Sequence, residues 1–247
     1  MSEQKKVALI TGANKGIGLE TARQLGQLGI TVLLGARDAA KGEKAAEMLR
    51  TEGIDARPIK LDVVRPADIA ATAASIERDF GKLDILINNA GVMIESEEMM
   101  ANTAPTVSAE HLRATFDTNF FAVVALTQAL LPLIRKSEAG RIVNVSSILG
   151  SNTLHASPKS PIYDAKLLAY DSSKAALNSF TIHLAHALRD TKIKVNSAHP
   201  GWVKTDMGGD GAQMEIVEGA KTEVDLATLL EDGPNGSYIH LGKDLPW

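Results

Sequence analysis

Short apolar, β-branched runs recur along the whole chain with helix-patterned stretches between them, and no other feature limits the possible folds as much. The runs occupy 7–10, 31–36, 56–61, 83–88, 141–146, 192–198 and 237–241. Several are apolar on both alternating faces, the pattern of parallel strands covered by helices on both sides. Between them, segments such as 18–28 and 39–52 place apolar residues at helical spacing. Strand alternating with helix predicts βαβ units, and right-handed crossovers wind these into a doubly wound, mostly parallel α/β sheet. The expectation is a single domain over 1–247, with seven strands and helices on both faces. Ligands of such sheets bind at the carboxyl ends of the strands. The three irregular stretches, 91–108, 148–167 and 200–219, each follow a predicted strand on that side, where long loops form walls and lids.

Charge and composition exclude several kinds of partner. A net charge of −4 leaves no footprint for nucleic acid or an anionic membrane surface. The chain has no cysteine, which rules out disulfides and thiolate metal sites and suits a reducing compartment. Met1-Ser2-Glu3-Gln4-Lys5-Lys6 is polar and leads straight into the first run, with no signal-peptide core. No apolar run reaches the roughly 18 residues of a membrane helix. A cytoplasmic protein acting on a small molecule is expected.

The first loop reads TGANKGIG at 11–18 and puts Gly12, Gly16 and Gly18 between the first strand and the first helix. Glycines there permit left-handed backbone and let peptide N–H groups approach a pyrophosphate, to which the helix N-terminus adds positive potential. The spacing G-x-x-x-G-x-G is neither the usual dinucleotide fingerprint nor the phosphate loop, so by itself it also suits a tight turn without ligand. Farther on, Tyr170 and Lys174 lie four apart and share a helix face. Bringing a phenol from its ordinary pKa near 10 to neutrality takes about 4 kcal/mol, and an ammonium about 4 Å away supplies an interaction of that order.

Four motifs occur in order: Thr11-Gly12-x-x-x-Gly16-Ile17-Gly18, Asn88-Asn89-Ala90-Gly91, Tyr170-x-x-x-Lys174 and Pro200-Gly201. Together they resemble the short-chain dehydrogenase/reductase family over essentially the whole chain, closest to its carbonyl reductase-like subgroup. The glycine spacing is that family's own, and the fold it implies is the Rossmann fold. The resemblance implies that Tyr170 is the catalytic acid/base and that Lys174 also holds the nicotinamide ribose. It implies that Ser147 binds the substrate carbonyl, because the family serine lies three residues before a glycine, here Gly150; Ser146 is left as a strand-end cap. Asn119 matches the helix asparagine that holds a water relay behind the lysine. Tyr163 with Lys166 is a decoy, since its spacing is three rather than four.

The end of the second strand reads Ala36-Arg37-Asp38. A carboxylate there takes the ribose 2′-OH of NAD, whereas a guanidinium suits the 2′-phosphate of NADP. Arg37, with Lys15 as a second cation, makes NADP(H) the expected cofactor. Asp38 is read as the N-cap of the next helix in preference to a ribose ligand. The resemblance further lays Gly12, Asn14, Gly16, Ile17 and Gly18 along the cofactor, with Asp62 at the adenine amino group between Leu61 and Val63. It sets Ala90 and Gly91 on the adenosine side, with Asn89 bracing the central sheet. Pro200, Gly201, Val203 and Thr205 fall at the nicotinamide end.

These residues predict NADPH-dependent reduction of a ketone, aldehyde or quinone carbonyl to the alcohol. An NAD-dependent alcohol or hydroxysteroid dehydrogenase is the alternative that Arg37 and Lys15 oppose. A catalytically silent, cofactor-sensing regulatory protein is the alternative that the intact Ser147, Tyr170, Lys174 and Asn119 oppose. Ser147 and Tyr170 stand farther apart than in typical members, which marks a short insertion around 150–168. That insertion leaves monomer, dimer and larger homo-oligomer all open. A segment around 202–220 is expected to form a substrate lid. Met93, Met99, Met100, Met207 and Met214 surround the crevice with adaptable apolar side chains. Glu95, Glu97 and Glu98 read as a solvated acidic loop, and His183 and His186 as surface residues, so no metal site is expected.

Overall fold

All seven predicted runs become strands: β1 (Val7–Thr11), β2 (Thr31–Ala36), β3 (Ala56–Lys60), β4 (Ile85–Asn88), β5 (Arg141–Val145), β6 (Lys194–Ala198) and β7 (Tyr238–His240). In a computed structural model, which describes residues 5–94 and 103–247, they lie side by side as β3-β2-β1-β4-β5-β6-β7, every pair parallel. The order reverses between β1 and β4, and a crevice opens at such a switch point. The connecting helices are α1 (Gly16–Gln27), α2 (Ala39–Thr51), α3 (Pro66–Phe80), α4 (Ala109–Phe116), α5 (Ala122–Ile134), α6 (Asn152–Ala156), α7 (Leu168–Ala187), α8 (Ile216–Gly219) and α9 (Lys221–Ala227).

Alternation along each strand explains why both faces are apolar. Ala8, Ile10, Val32, Leu34, Ile85 and Ile87 point to one face, where Leu25, Leu49 and Leu226 from α1, α2 and α9 cover them. Leu9, Leu33, Leu86, Ile142 and Val195 point to the other, under Ile76 of α3 and Leu126 and Leu130 of α5. The sheet is thus sealed on both sides and open only at its ends.

The structure departs from the sequence expectation in three places. An eighth strand, β8 (Lys243–Asp244), runs antiparallel to β7 on the sheet edge. It is reached through Leu241 and Gly242, at φ 45° and 75°, the signature of a two-residue hairpin turn. Leucine seldom adopts that conformation, so the turn carries no sequence signal. Second, α4 and α5 form a single long helix broken by one π turn, Asp117–Phe121. By length and composition the span Ala109–Ile134 is long and apolar enough to cross a membrane. Its apolar stripe, Val123, Leu126, Leu130, Leu133 and Ile134, is instead buried, as in an amphipathic core helix.

Third, the stretches expected to be irregular are partly ordered. A 3₁₀ turn, Ile148–Gly150, leads into α6, which Ser151 caps by accepting the Leu154 N–H at 3.2 Å. The 200–219 stretch closes on itself through a bridge between Val203 and Met214 and ends in α8. Glu95, Glu97, Glu98, Met99 and Met100 lie outside the described residues.

Candidate active site

The glycine turn is pressed against the end of β4. Gly12 and Gly16 have φ of 65° and 58°. A Cβ at Gly12 would come within 3.1 Å of Ala90 Cα, and one at Gly18 within 2.4 Å of Asn89 Nδ2 and 2.9 Å of the Gly12 carbonyl. The contact is hydrogen-bonded, since Asn89 Nδ2 donates to Thr11 O at 2.7 Å while the Asn89 and Ala90 N–H groups donate to Thr11 Oγ1 at 3.0 and 2.9 Å. Helix α1 begins at Gly16, and its N-cap residue, Lys15, offers no side-chain acceptor. The first N–H groups of a helix have no acceptor within it, so this end presents a donor set that fits a pyrophosphate.

Asn89 therefore braces β1 and the glycine turn. The brace that crosses the sheet is Asn88, whose Nδ2 donates to Asn144 Oδ1 at 2.9 Å and to Thr127 Oγ1 at 3.1 Å. Asn144 Nδ2 then donates to Thr181 Oγ1 at 2.9 Å, which meets Ser197 Oγ at 2.8 Å. Asn88, Asn144 and Ser197 are in register on β4, β5 and β6. The signal that could have revealed the row is polar residues inside otherwise apolar strands.

At the adenosine end, Arg37 is exposed just past β2. Asp38 caps α2, its carboxylate accepting the Lys41 N–H at 3.1 Å. Lys15, expected as a second cation on the Arg37 side, is paired with Asp206 in the 200–219 stretch. Both partners are largely exposed, at 68% and 82%, and such pairs contribute about 0–1 kcal/mol, so the contact exchanges readily. Asp62 is half-buried and accepts the Val64 N–H at 3.3 Å, with Leu61 buried and Val63 half-buried on either side. Thr205 Oγ1 accepts the Gly208 N–H at 3.2 Å, and its methyl lies 3.6 Å from where a Cβ on Gly16 would stand. Pro200 and Val203 are buried, and Gly201, at φ 97°, packs against Met214 and His240.

The four candidate catalytic residues converge from three elements. Ser147 ends the segment after β5 and hydrogen-bonds Tyr170 through its side chain. Its Oγ also accepts the Leu149 N–H at 3.3 Å, so Ser147 is the cap there, and Ser146 instead continues the ladder through its N–H to Ala198 O at 2.8 Å. Gly150 lets this turn reach α7, because a Cβ there would lie 2.9 Å from the Lys174 backbone. Tyr170 and Lys174 share the buried face of α7. Lys174 Nζ donates to Val145 O at 2.8 Å and sits 5.6 Å from the Tyr170 ring centroid. Asn119, in the π turn, is fully buried. Its Oδ1 accepts the Val92 N–H at 2.8 Å, while Nδ2 donates to Val92 O at 2.9 Å and Ser173 Oγ at 3.0 Å. The decoy Tyr163 lies outside this grouping, 39% exposed under the Lys166 ammonium.

Burial controls the titration of this group. It pushes the Tyr170 phenol up to about 12, against the partial relief of its Ser147 hydrogen bond. It pushes Lys174 down to about 8, with the Glu223 carboxyl working the other way. The expected depression of the phenol by Lys174 is therefore not what the protein alone provides. The reason is geometric: the ammonium is aimed at the Val145 carbonyl and is itself desolvated.

The family model described as short chain dehydrogenase matches residues 6–215. The chain belongs to the short-chain dehydrogenase family. This dehydrogenase is 34% identical to "Carbonyl reductase [NADPH] 1" of Mus musculus, with both chains covered in full. It is 40% identical to "Short-chain dehydrogenase anuI" of Penicillium roqueforti, over 97% of this chain and 94% of that one. Among solved structures, it superposes on the NADPH-bound carbonyl reductase from chicken fatty liver with a TM-score of 0.84 at 29% identity, covering 99% of this chain and 100% of that one.

Three residues of the dehydrogenase that touch this region escaped the sequence reading. Asp206 holds Lys15. Glu223 of α9 is wholly buried and accepts from Thr21 Oγ1 of α1 at 2.8 Å. His199, immediately before Pro200-Gly201, lies buried against the turn that follows Ser147. None sits in a motif; each is revealed only by which segments the fold makes neighbours.

Proposed function

We propose that this dehydrogenase reduces a ketone, aldehyde or quinone with NADPH, through Ser147, Tyr170, Lys174 and Asn119. The observation that carries the reading is the grouping of half-buried Ser147 with buried Tyr170 and Lys174 at the carboxyl edge of the sheet, beside a glycine cradle that admits no Cβ at Gly18. Arg37, which has no ion pair among the described residues, and Asp38, spent on capping α2, support NADPH over NADH. So does the likeness to "Carbonyl reductase [NADPH] 1" of Mus musculus. When bound, the cofactor supplies a hydride. The glycine turn and the start of α1 would hold its pyrophosphate; Arg37 and Lys15, released from Asp206, would hold the 2′-phosphate. Asp62 would take the adenine, and Thr205 with Pro200, Gly201 and Val203 the nicotinamide end. The reading carries with it a cytoplasmic enzyme with a small-molecule carbonyl or alcohol as its partner.

The chain's own residues do the rest. Ser147 and Tyr170 converge on one point and present hydroxyl donors to a carbonyl oxygen as negative charge develops. Tyr170, protonated throughout the physiological range, gives its proton to that oxygen. Lys174 then faces the new phenolate as an ammonium. Asn119 has both ends of its amide committed to Val92 and Ser173, so its part is to clamp the loop after β4 onto α7. The 150–168 insertion is held against the N-terminal end of α7, where His155 Nε2 meets Leu149 O at 2.8 Å and Asp171 at 3.3 Å. The 202–220 segment acts as the lid, hinged beside Gly201.

The test is turnover of a panel of ketones, aldehydes and quinones, followed by loss of reduced-nicotinamide absorbance with NADPH and NADH in parallel. Turnover with NADPH, and a drop of about 10²–10⁴ in kcat in Tyr170→Phe with NADPH still bound, is the expected result. Turnover with NADH alone, or a Tyr170→Phe variant as active as the parent, overturns the reading.

A further inference from the structure

The peptide unit between Ser147 and Ile148 is held at both of its polar groups by side chains from the far strands of the sheet. On one side, the Ser147 carbonyl accepts the hydroxyl of Tyr238 from β7, together with the Gly150 N–H at 2.7 Å. On the other, the Ile148 N–H donates to Nδ1 of His199 at 3.2 Å. His199 stands at the end of β6, which pairs with β7 through Ser197 opposite Tyr238, so the two side chains reach the same peptide from adjacent strands. Neither is free to wander. Tyr238 is 1% exposed and stacks on Trp247 with centroids 5.4 Å apart. His199 is 8% exposed, packs against His240 at 4.7 Å, and has its own carbonyl bonded by His240 Nδ1 at 2.8 Å.

The imidazole takes a single chemical form here. Nδ1 receives both the Ile148 N–H and, at 3.4 Å, the Gly201 N–H, so it carries no proton and the ring proton sits on Nε2. Burial and His240 push its pKa down to about 3, which keeps it in that form across the working range. A half-buried peptide with both groups bonded cannot rotate without breaking both bonds, and each is worth about 0.5–1.5 kcal/mol.

We propose that His199 and Tyr238 are positioning residues that fix the Ser147–Ile148 peptide and thereby aim the Ser147 hydroxyl at the carbonyl to be reduced. The proposal rests on the functional reading above for the role of Ser147, while the clamp itself is open to test without any substrate. Through its second contact, to Gly201, His199 also links the serine turn to the base of the lid.

The experiment compares His199→Leu, His199→Asn and Tyr238→Phe with the parent, by hydrogen exchange of the Ile148 amide and by kcat, carbonyl KM and NADPH Kd. Asparagine sets its amide oxygen about where Nδ1 lies, whereas leucine has no acceptor. His199→Leu is expected to expose the Ile148 amide to exchange and to lower kcat by about 10- to 100-fold, the scale of a catalytic group displaced by an ångström, with NADPH Kd changed far less. His199→Asn is expected to recover most of both losses. Tyr238→Phe, which deletes one oxygen, is expected to lower kcat in the same way, and it decides the matter if His199→Leu does not fold. Undiminished kcat in Tyr238→Phe and in His199→Leu, or a His199→Asn variant as impaired as leucine, overturns the proposal. If the parent turns over no carbonyl, the functional reading fails, and unchanged Ile148 protection in His199→Leu would still refute the clamp on its own.

Discussion

Glu223→Gln should make the thermal stability of the enzyme less dependent on pH. Glu223 is wholly buried on α9; Oε2 accepts from Thr21, and Oε1 has no hydrogen-bond partner among the described residues. Burial pushes this carboxyl from its ordinary 4.5 up to about 8, with Thr21 and Lys174 opposing. Between those values the folded protein holds a proton that the unfolded chain has released. Glu223 therefore contributes stability that is full below 4.5 and is lost as pH rises to about 8. At about 1.4 kcal/mol per unit the whole window is worth at most about 5 kcal/mol. Relaxation and water penetration around a buried charge discount that by about half, to about 2–3 kcal/mol.

Glutamine cannot ionise, but it buries two donors where the acid has one, at a cost of about 1–2 kcal/mol. The variant should thus melt below the parent at pH 5 and at or above it at pH 8.5. For a chain of this length each kcal/mol is about 2–4 °C, so the difference in Tm should swing by about 5–10 °C between the two conditions. Differential scanning calorimetry across that range measures it. A Tm difference that is the same at both ends would mean that Glu223 ionises as an ordinary carboxylate, and the argument from burial would fail. Kinetics supply a second reading. Because the folded protein keeps Glu223 uncharged below about 8, the fall of kcat as pH rises toward the titration of Lys174, at about 8, should begin at the same pH in the variant and the parent.

Two further outcomes follow from the cofactor cradle. Arg37→Asp should raise NADPH Kd by about 10- to 100-fold, the worth of a charge-assisted hydrogen bond to phosphate, and narrow or reverse the preference over NADH; equal losses for both nucleotides by titration would refute the assignment. Gly18→Ala sets a methyl 2.4 Å from Asn89 Nδ2, which must then leave the Thr11 carbonyl, so both Tm and NADPH affinity should fall; a variant with parental Tm and Kd would show that the turn is not pressed on β4 as described.

The strands were legible because a sheet buried on both faces forces apolar residues at every position, and that demand is local. Tyr170, Lys174 and the glycines were legible because their types are set by chemistry or by close approach. The cap at the end of β5 was misassigned between two adjacent serines, Ser146 and Ser147, since which of them continues the ladder depends on Ala198 in a strand far along the chain. The hairpin to β8 was missed because Leu241 adopts a turn conformation for which leucine is not selected.

The residues that hold the site steady share one property that hides them. His199 reaches Ile148 across 51 positions of sequence, Asn88 reaches Asn144 across 56, and Thr21 reaches Glu223 across 202. In each pair, one residue would be unremarkable without the other. Asn88 or Asn144 alone would be a destabilising polar group in an apolar strand, and Glu223 without Thr21 would bury its carboxyl with no hydrogen bond at all. Their value appears only once the fold makes neighbours of β4, β5 and β6 and of α1 and α9. Groups that meet ligand declare themselves by type and spacing, whereas groups that aim them are chosen by topology. For that reason a conservative change at His199 or Glu223 tests this enzyme more sharply than another substitution at Tyr170, whose effect is already implied by its chemistry.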